Sequence, residues 1–164
     1  MAFGPLFLSG GMRIIHLEEI TEANFTEALR LEVGEDQRRF VAPAAGILAR
    51  GYVYRSNRAR VYAIMAEDVM VGLALVRDLD EPPACYDLQQ FMIDRRHQGR
   101  GYGGEALRQL LALLRAEGRY DAVEVCVHRE DLAARRLYER AGFADTGYVD
   151  PGAPECLNLM HHFR

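Results

Sequence analysis

The glycine-rich stretch at residues 98–104 constrains the fold of this chain more than any other feature. It reads QGRGYGG and holds four glycines in seven residues. The strand-like run YDLQQFMI precedes it, and leucines at 107, 110, 111 and 114 follow with the spacing of an amphipathic helix. Adjacent glycines let backbone N–H groups converge on an anion, and a helix start adds the positive end of its dipole. The stretch therefore predicts a phosphate-binding loop between a strand and a helix.

The same stretch fits two different patterns. Residues 99–104 satisfy G-x-G-x-x-G, which is typical of dinucleotide-binding loops, and residues 98–103 satisfy [QR]-x-x-G-x-[GA]. A dinucleotide loop places its first glycine directly after a strand, but here DRRHQ separates Ile93 from Gly99. A Walker loop is excluded because the sequence contains no Gly-Lys-Ser/Thr. The second pattern is favoured, and a nicotinamide enzyme is the alternative that the first would imply.

Composition places the chain among ordinary globular domains. Its 164 residues predict one domain at residues 12–164, preceded by an N-terminal extension at residues 1–11. The net charge of −4 argues against a nucleic-acid partner. No apolar run reaches the ~18 residues of a membrane span, so no membrane partner is expected. The three cysteines are widely spaced and predict neither a disulfide framework nor a zinc site. We therefore expect a cytoplasmic protein without a metal.

The predicted order of elements is β-α-α-β-β-β-α-β-α-β-β, which is a mixed α/β pattern. Thr21 is expected to cap a first helix that ends at Gly34, and a second short helix is expected over residues 36–41. The run at residues 46–54 is ambiguous. Further along, Asp131 is expected to cap a helix that ends at Gly142.

Two motifs together resemble the GNAT superfamily of N-acetyltransferases. The first is FMIDRRHQGRGYGGEALRQLL, which matches the coenzyme A signature of that superfamily. The second is DLAARRLYERAGF, in which Asp131 stands where the superfamily usually has Asn. The runs FMID and VGEDQRRFVAP resemble the corresponding runs of bacterial spermine/spermidine-type members. The resemblance implies an α/β (α+β) fold with a mixed sheet of six to seven strands and about four helices. It also implies a sheet splayed between the strand before the loop and the next strand.

The resemblance implies acetyl-CoA as cosubstrate. Backbone N–H groups of the loop would hold its pyrophosphate, Arg100 would add positive charge, and the preceding strand would bind the pantetheine arm through its main chain. The residues expected at the coenzyme are Phe91, Met92, Ile93, Gln98, Gly99, Arg100, Gly101, Tyr102, Gly103, Gly104 and Asp131.

The resemblance also assigns two candidate catalytic residues. Tyr138 falls on the tyrosine that the superfamily places near the coenzyme sulfur. A phenol of pKa ~10 can donate its proton to a leaving thiol of pKa ~8.5. Packing against the helix face is the alternative for this side chain. Asp87 falls where many members have a basic glutamate, and its shorter side chain favours a water relay. A strand-end residue or a substrate anchor is the alternative for Asp87.

A cationic acceptor would need acids near its binding site. Glu32, Glu35 and Asp36 lie where the superfamily forms part of its acceptor pocket, although acid clusters are usually solvated surfaces. The expected activity is direct acetyl transfer to a primary amine on a small cationic molecule such as a polyamine. The alternatives are a protein, peptide or aminoglycoside acceptor, or a non-catalytic acyl-CoA-binding module. Superfamily members are often dimers, so a homodimer is a further expectation.

Overall fold

A computed structural model describes residues 14–163, so the predicted extension at residues 1–11 lies outside the described residues. This part of the chain forms a mixed sheet with helices on both faces. Its elements are β1 (Ile15–Glu19), α1 (Phe25–Ala28), α2 (Ala44–Val53), β2 (Arg60–Ala66), β3 (Val69–Leu79), β4 (Cys85–Ile93), α3 (Tyr102–Glu117), β5 (Ala122–His128), α4 (Leu132–Arg140), β6 (Ala144–Asp145) and β7 (Cys156–His162). None of the helices in residues 14–163 combines the length and apolar character that a bilayer-spanning segment needs.

The seven strands of the described chain follow the order β1-β2-β3-β4-β5-β7-β6. Every neighbouring pair is antiparallel except β4 and β5, which are parallel. These two strands pair only where Tyr86 meets Val123 and Asp87 meets Glu124. Beyond that point they diverge, so the sheet is closed at one end and open at the other. The predicted mixed, splayed sheet is confirmed.

Helices α3 and α4 cover one face of the sheet, and α1 and α2 cover the other. Leu88 of β4 packs with the α3 leucines, whereas Met92 of the same strand packs with Ile47 of α2. Two residues four positions apart in a regular strand point to the same face. Here they point to opposite faces because a bulge leaves Gln89 between the pairs Val76–Leu88 and Leu75–Gln90. After the bulge, the side chains of β4 therefore face the opposite side of the sheet from the one that regular alternation would give.

The region between β1 and α2 differs from the sequence prediction. The first helix is a single turn, Phe25–Ala28, and the segment predicted as a second helix contains only a 3-10 turn at Glu35–Gln37. The N-cap of α1 is Asn24 and not the predicted Thr21. The Thr21 hydroxyl accepts from Ala23 N at 3.2 Å, and Thr21 N donates to the Asn24 carboxamide oxygen at 2.8 Å, so these side chains form a turn ahead of the helix. The ambiguous run at residues 46–54 falls mostly within α2.

A buried carboxylate fixes the closed end of the sheet. Asp78 is fully buried and accepts hydrogen bonds from Arg58 (2.7 Å), Arg60 (3.1 Å) and Arg119 (2.5 Å). Burial acts to raise the pKa of Asp78, but the three guanidinium groups outweigh it and the pKa is lowered. These contacts join β2, β3 and the segment after α3, and they hold together the end from which β4 and β5 diverge.

Candidate active site

The glycine loop has the geometry of an anion site. Gly99 and Gly101 adopt left-handed backbone conformations with φ of +75° and +81°. Gly101 is the N-cap of the 16-residue helix α3, whose first N–H groups have no partner within the helix. A Cβ built on Gly99 would meet nothing within 4 Å, so the space beside the loop is open. Convergent backbone donors at the positive end of a long helix therefore face free space.

A cavity of about 500 Å³ lies where β4 and β5 diverge. Its walls come from the second half of β4, the glycine loop, the end of β5, α4 and the segment between α1 and α2. The predicted coenzyme residues that line it are Phe91, Met92, Ile93, Gln98, Gly99, Gly101, Tyr102, Gly103, Gly104 and Asp131. Arg100 is the one residue of the described loop whose side chain lies outside the lining.

Two of these predicted coenzyme-binding residues use their side chains for hydrogen bonds within the protein. The Asp131 carboxylate accepts from Ala134 N at 3.1 Å and caps α4, as predicted. The Gln98 carboxamide donates to the Ile93 carbonyl at 2.9 Å and to the Gln37 side chain at 2.8 Å. Both residues therefore shape the cavity wall through their side chains.

Tyr138 lies in the wall of the cavity and in the core at once. Its side chain is 5% exposed and packs edge-to-face on Phe143, with 5.4 Å between ring centroids. Burial raises the pKa of the Tyr138 hydroxyl, and the negative charge of Asp131 raises it further. The phenol therefore keeps its proton throughout the physiological pH range, and it is a weaker acid than its ordinary pKa suggests.

Asp87 lies just outside the cavity. It occupies the last paired position of β4 before the splay, opposite Glu124, and it is not among the described residues that line the cavity. Arg77 Nε donates to its carboxylate at 2.7 Å, and the Arg77 guanidinium also lies over the ring of Tyr54. Burial raises the pKa of Asp87, Arg77 acts in the opposite direction, and the net shift is upward. Asp87 therefore belongs to the paired part of the sheet, whereas Leu88 and Tyr138 line the cavity.

The three predicted acceptor acids do not share one site. Glu32 forms an ion pair with Arg95, with 2.6 Å between Nη2 and Oε1. Glu35 and Asp36 are exposed on the 3-10 turn. None of the three is among the described residues lining the cavity.

Other residues of the cavity wall had no role in the sequence prediction. Val33, Gln37, Phe40 and Val41 enter from the segment between α1 and α2, and His128 enters from the end of β5. The Phe40 and His128 rings are 5.0 Å apart. The only sequence signal for this segment was its family-like run VGEDQRRFVAP, which does not say which side chains face the cavity.

No group of three or more His, Cys, Asp or Glu side chains in residues 14–163 is placed to hold a metal ion. The site offers a set of backbone donors, a cavity with both polar and apolar walls, and one buried phenol. These features suit a phosphate-bearing ligand whose reactive end lies between diverging strands.

Comparison with known proteins agrees with that geometry. The model of the acetyltransferase (GNAT) family matches residues 16–143, which include both motifs and the cavity walls. The chain belongs to this family. The predicted acetyltransferase activity and family resemblance are confirmed, and the nicotinamide alternative is left without support.

Relatives of known name are distant. The spermine/spermidine N(1)-acetyltransferase of Bacillus subtilis is 25% identical over 139 residues, which cover 83% of this chain and 91% of the relative. Two solved structures are similar in fold. Aminoglycoside acetyltransferase AAC(6')-Ib in complex with coenzyme A has a TM-score of 0.75 at 17% identity and covers 91% of this chain and 95% of its own. Spermidine N-acetyltransferase from Vibrio cholerae, in complex with CoA and spermine, has a TM-score of 0.70 at 14% identity, with coverage of 90% and 95%.

Proposed function

We propose that this acetyltransferase moves the acetyl group of acetyl-CoA directly to a primary amine on a small cationic molecule such as a polyamine. The observation that carries the proposal is the glycine loop, with left-handed Gly99 and Gly101 opening at the start of α3 into a cavity that Tyr138 lines. The polyamine class is supported by the name of the Bacillus relative and by the spermine in the Vibrio complex. An aminoglycoside acceptor is the second candidate, because AAC(6')-Ib is similar in fold over nearly the whole described chain.

The residues present fit coenzyme A. Its pyrophosphate would lie on the backbone N–H groups at residues 99–104, where two glycines are left-handed and the space beside Gly99 is open. Its pantetheine arm would lie along Phe91–Ile93, on the side of β4 where β5 has moved away. Acetyl-CoA would supply an activated thioester there. Because the cavity is lined by the segment between α1 and α2 as well as by β4, β5 and α4, an amine can be held beside that thioester and react without a covalent enzyme intermediate.

In this proposal Tyr138 holds a proton at its hydroxyl for the departing sulfur. Its raised pKa makes the phenol a poor match for a thiol in water. Burial acts on thiols in the same direction, however, and it raises the pKa of the buried Cys85 thiol to about 12. A thiolate leaving inside the cavity would therefore have a higher proton affinity than one in water. The pKa values of the Tyr138 phenol and the leaving thiol would then be closer, which favours proton transfer between them.

Asp87 remains the proposed base, acting through water. Its burial and net raised pKa make this carboxylate a stronger base than an exposed aspartate, which suits a proton acceptor. Because it lies beyond the cavity lining and is bonded to Arg77, a water relay fits its position better than direct contact with the amine. The predicted cytoplasmic location and homodimer stay predictions.

A thiol-release assay with acetyl-CoA tests the function. The acceptor panel contains polyamines, aminoglycosides, amino acids and N-terminal peptides. We expect turnover with polyamines and a specificity constant higher than for the other classes. CoA binding without turnover for any member would refute the catalytic proposal and favour a binding module.

Tyr138→Phe tests the acid. The variant keeps the ring against Phe143 and removes only the hydroxyl, so we expect kcat to fall roughly 10²–10⁴-fold with CoA affinity unchanged. Tyr62→Phe is the matched control, because Tyr62 is a buried core tyrosine outside the cavity lining. Equal kcat values for Tyr138→Phe and the wild type would reduce Tyr138 to a packing residue.

A further inference from the structure

We propose that Gln37 is a positioning residue that couples the acceptor side of the cavity to the coenzyme loop through the side chain of Gln98. The inference rests on the proposed function and adds to it a residue that neither motif contains. It concerns the crossing segment, defined as residues 31–41 between α1 and α2. This segment supplies Val33, Gln37, Phe40 and Val41 to the cavity wall.

The two glutamine carboxamides form a reciprocal pair. Gln98 Nε2 donates to Gln37 Oε1 at 2.8 Å, and Gln37 Nε2 donates to Gln98 Oε1 at 3.2 Å. Each carboxamide also has a backbone partner, because Gln37 Oε1 accepts from Gly34 N at 3.1 Å and Gln98 Nε2 donates to the Ile93 carbonyl at 2.9 Å. The pair thus ties the crossing segment, the end of β4 and the first residue of the glycine loop into one network.

A second joint holds the same two pieces of chain together. Asp94, directly after β4, is fully buried, and its carboxylate accepts from Glu32 N at 3.0 Å and from Arg96 N at 2.9 Å. In return, Arg95 N donates to the Glu32 carbonyl at 2.8 Å. These bonds hold residue 32 of the crossing segment against residues 94–96, so Gln37 and Gln98 are already close to each other. Little conformational entropy is therefore lost when the two side chains form their hydrogen bonds.

The crossing segment also reaches the opposite wall. Arg39 Nη1 contacts Glu130 Oε2 at 2.5 Å, and the Phe40 ring lies against His128 at the end of β5. The segment therefore spans the open end of the splay from β4 to β5. An acceptor that contacts it would be held by the same piece of chain that fixes the coenzyme loop.

The coupling follows from what the Gln98 side chain does. Because its carboxamide is engaged by Gln37 and Ile93, its backbone is fixed at the point where the loop begins its left-handed turns. Without Gln37, one of these anchors is lost and coenzyme binding must order the loop. By linkage, the bound coenzyme in turn orders Gln37 and the crossing segment.

A double-mutant cycle on CoA affinity tests the coupling. The dissociation constant of CoA is measured by calorimetry for the wild type, Gln37→Met, Gln98→Met and the double variant, since Met keeps the side-chain length without hydrogen bonds. Each single change should weaken binding about two- to tenfold, as expected for the loss of one or two hydrogen bonds. The double variant should be weakened by much less than the product of the two single effects.

The matched control is Gln109→Met. Gln109 donates to the Ile15 carbonyl on the far side of α3, outside the cavity lining, so its loss should lower the melting temperature and leave CoA affinity unchanged. In steady-state kinetics, Gln37→Met should raise the KM of the acceptor while kcat at saturation of both substrates changes less than twofold. A merely structural role would lower the melting temperature without this split.

The outcomes separate the two proposals. A wild type that binds CoA but acetylates no amine refutes the proposed function, and the calorimetric cycle still decides the coupling. Unchanged CoA affinity in Gln37→Met, or multiplicative effects in the double variant, overturns the coupling alone. A wild type that does not bind CoA overturns both.

Discussion

Replacing Gly101 by alanine should weaken CoA binding by more than it lowers the stability of the fold. Gly101 caps α3 with φ of +81°, a conformation that costs an L-residue roughly 1–2 kcal/mol. For a domain of this size, that cost corresponds to a fall in melting temperature of roughly 2–8 °C. If the loop relaxes to relieve the strain, the N–H groups on either side of residue 101 turn away from the anion.

The expected loss of affinity is larger than the loss of stability. A hydrogen bond to a charged group is worth about 1.5–3 kcal/mol, so displacing one backbone donor should weaken CoA binding about tenfold or more. Gly103→Ala is the matched control. Its added Cβ would lie 3.6 Å from Ile93 Cγ1 and 3.8 Å from Leu137, which are ordinary contacts. Because Gly103 is already in the helix, alanine there should raise stability by about 0.4–1 kcal/mol and leave CoA affinity nearly unchanged.

Calorimetry with CoA and thermal unfolding of both variants make the comparison. The proposed role of the left-handed turn is refuted if Gly101→Ala binds CoA as tightly as the wild type, or if Gly103→Ala loses as much affinity as Gly101→Ala. Either result would mean that the left-handed turn is not what presents the backbone donors.

Two further predictions concern buried carboxylates. In the wild type, kcat/KM should fall as pH drops through the raised pKa of Asp87, because the base becomes protonated. Asp87→Asn removes this titrating group and should abolish that acidic limb of the pH profile. An identical limb in both proteins would exclude Asp87 as the base. Asp78→Asn should destabilise the fold by roughly 3 kcal/mol, because three guanidinium groups lose a buried anionic partner. Since the pKa of Asp78 is lowered by folding, its contribution is complete at neutral pH and is lost as pH falls below about 4. The free energies of unfolding of the wild type and Asp78→Asn should therefore converge at low pH. A constant difference between them across the pH range would contradict this expectation.

The parts of the fold set by local patterns could be predicted from the sequence. The glycines at 99 and 101 and the leucine spacing after them determine a loop and a helix by backbone and packing rules that act over a few residues. The Asp131 cap is equally local, since the donor is the backbone N–H of Ala134. With the two family motifs, whose resemblance implied the splayed sheet, these features were enough to predict the fold, but they did not predict the side of the cavity that the segment between α1 and α2 forms.

Two of the features missed depend on contacts between different elements of the fold, and a third depends on local side-chain bonds. Gln37 meets Gln98 across 61 positions, and a single glutamine carries no sign of its partner. The Arg77 contact that engages Asp87 is set by the β3–β4 register, which the bulge at Gln89 shifts. The first helix was overpredicted because side-chain bonds at Thr21 and Asn24 compete with helical hydrogen bonds.

The divergence of β4 and β5 has a consequence for hydrogen exchange. From Leu88 onward, β4 keeps its ladder with β3 but has no strand partner on its other side within the described chain. The backbone amides that point into this gap should exchange with solvent at rates typical of a sheet edge, although β4 lies in the middle of the sheet. A ligand bound in the gap would slow exchange at these amides, so an interior strand would report its occupancy directly.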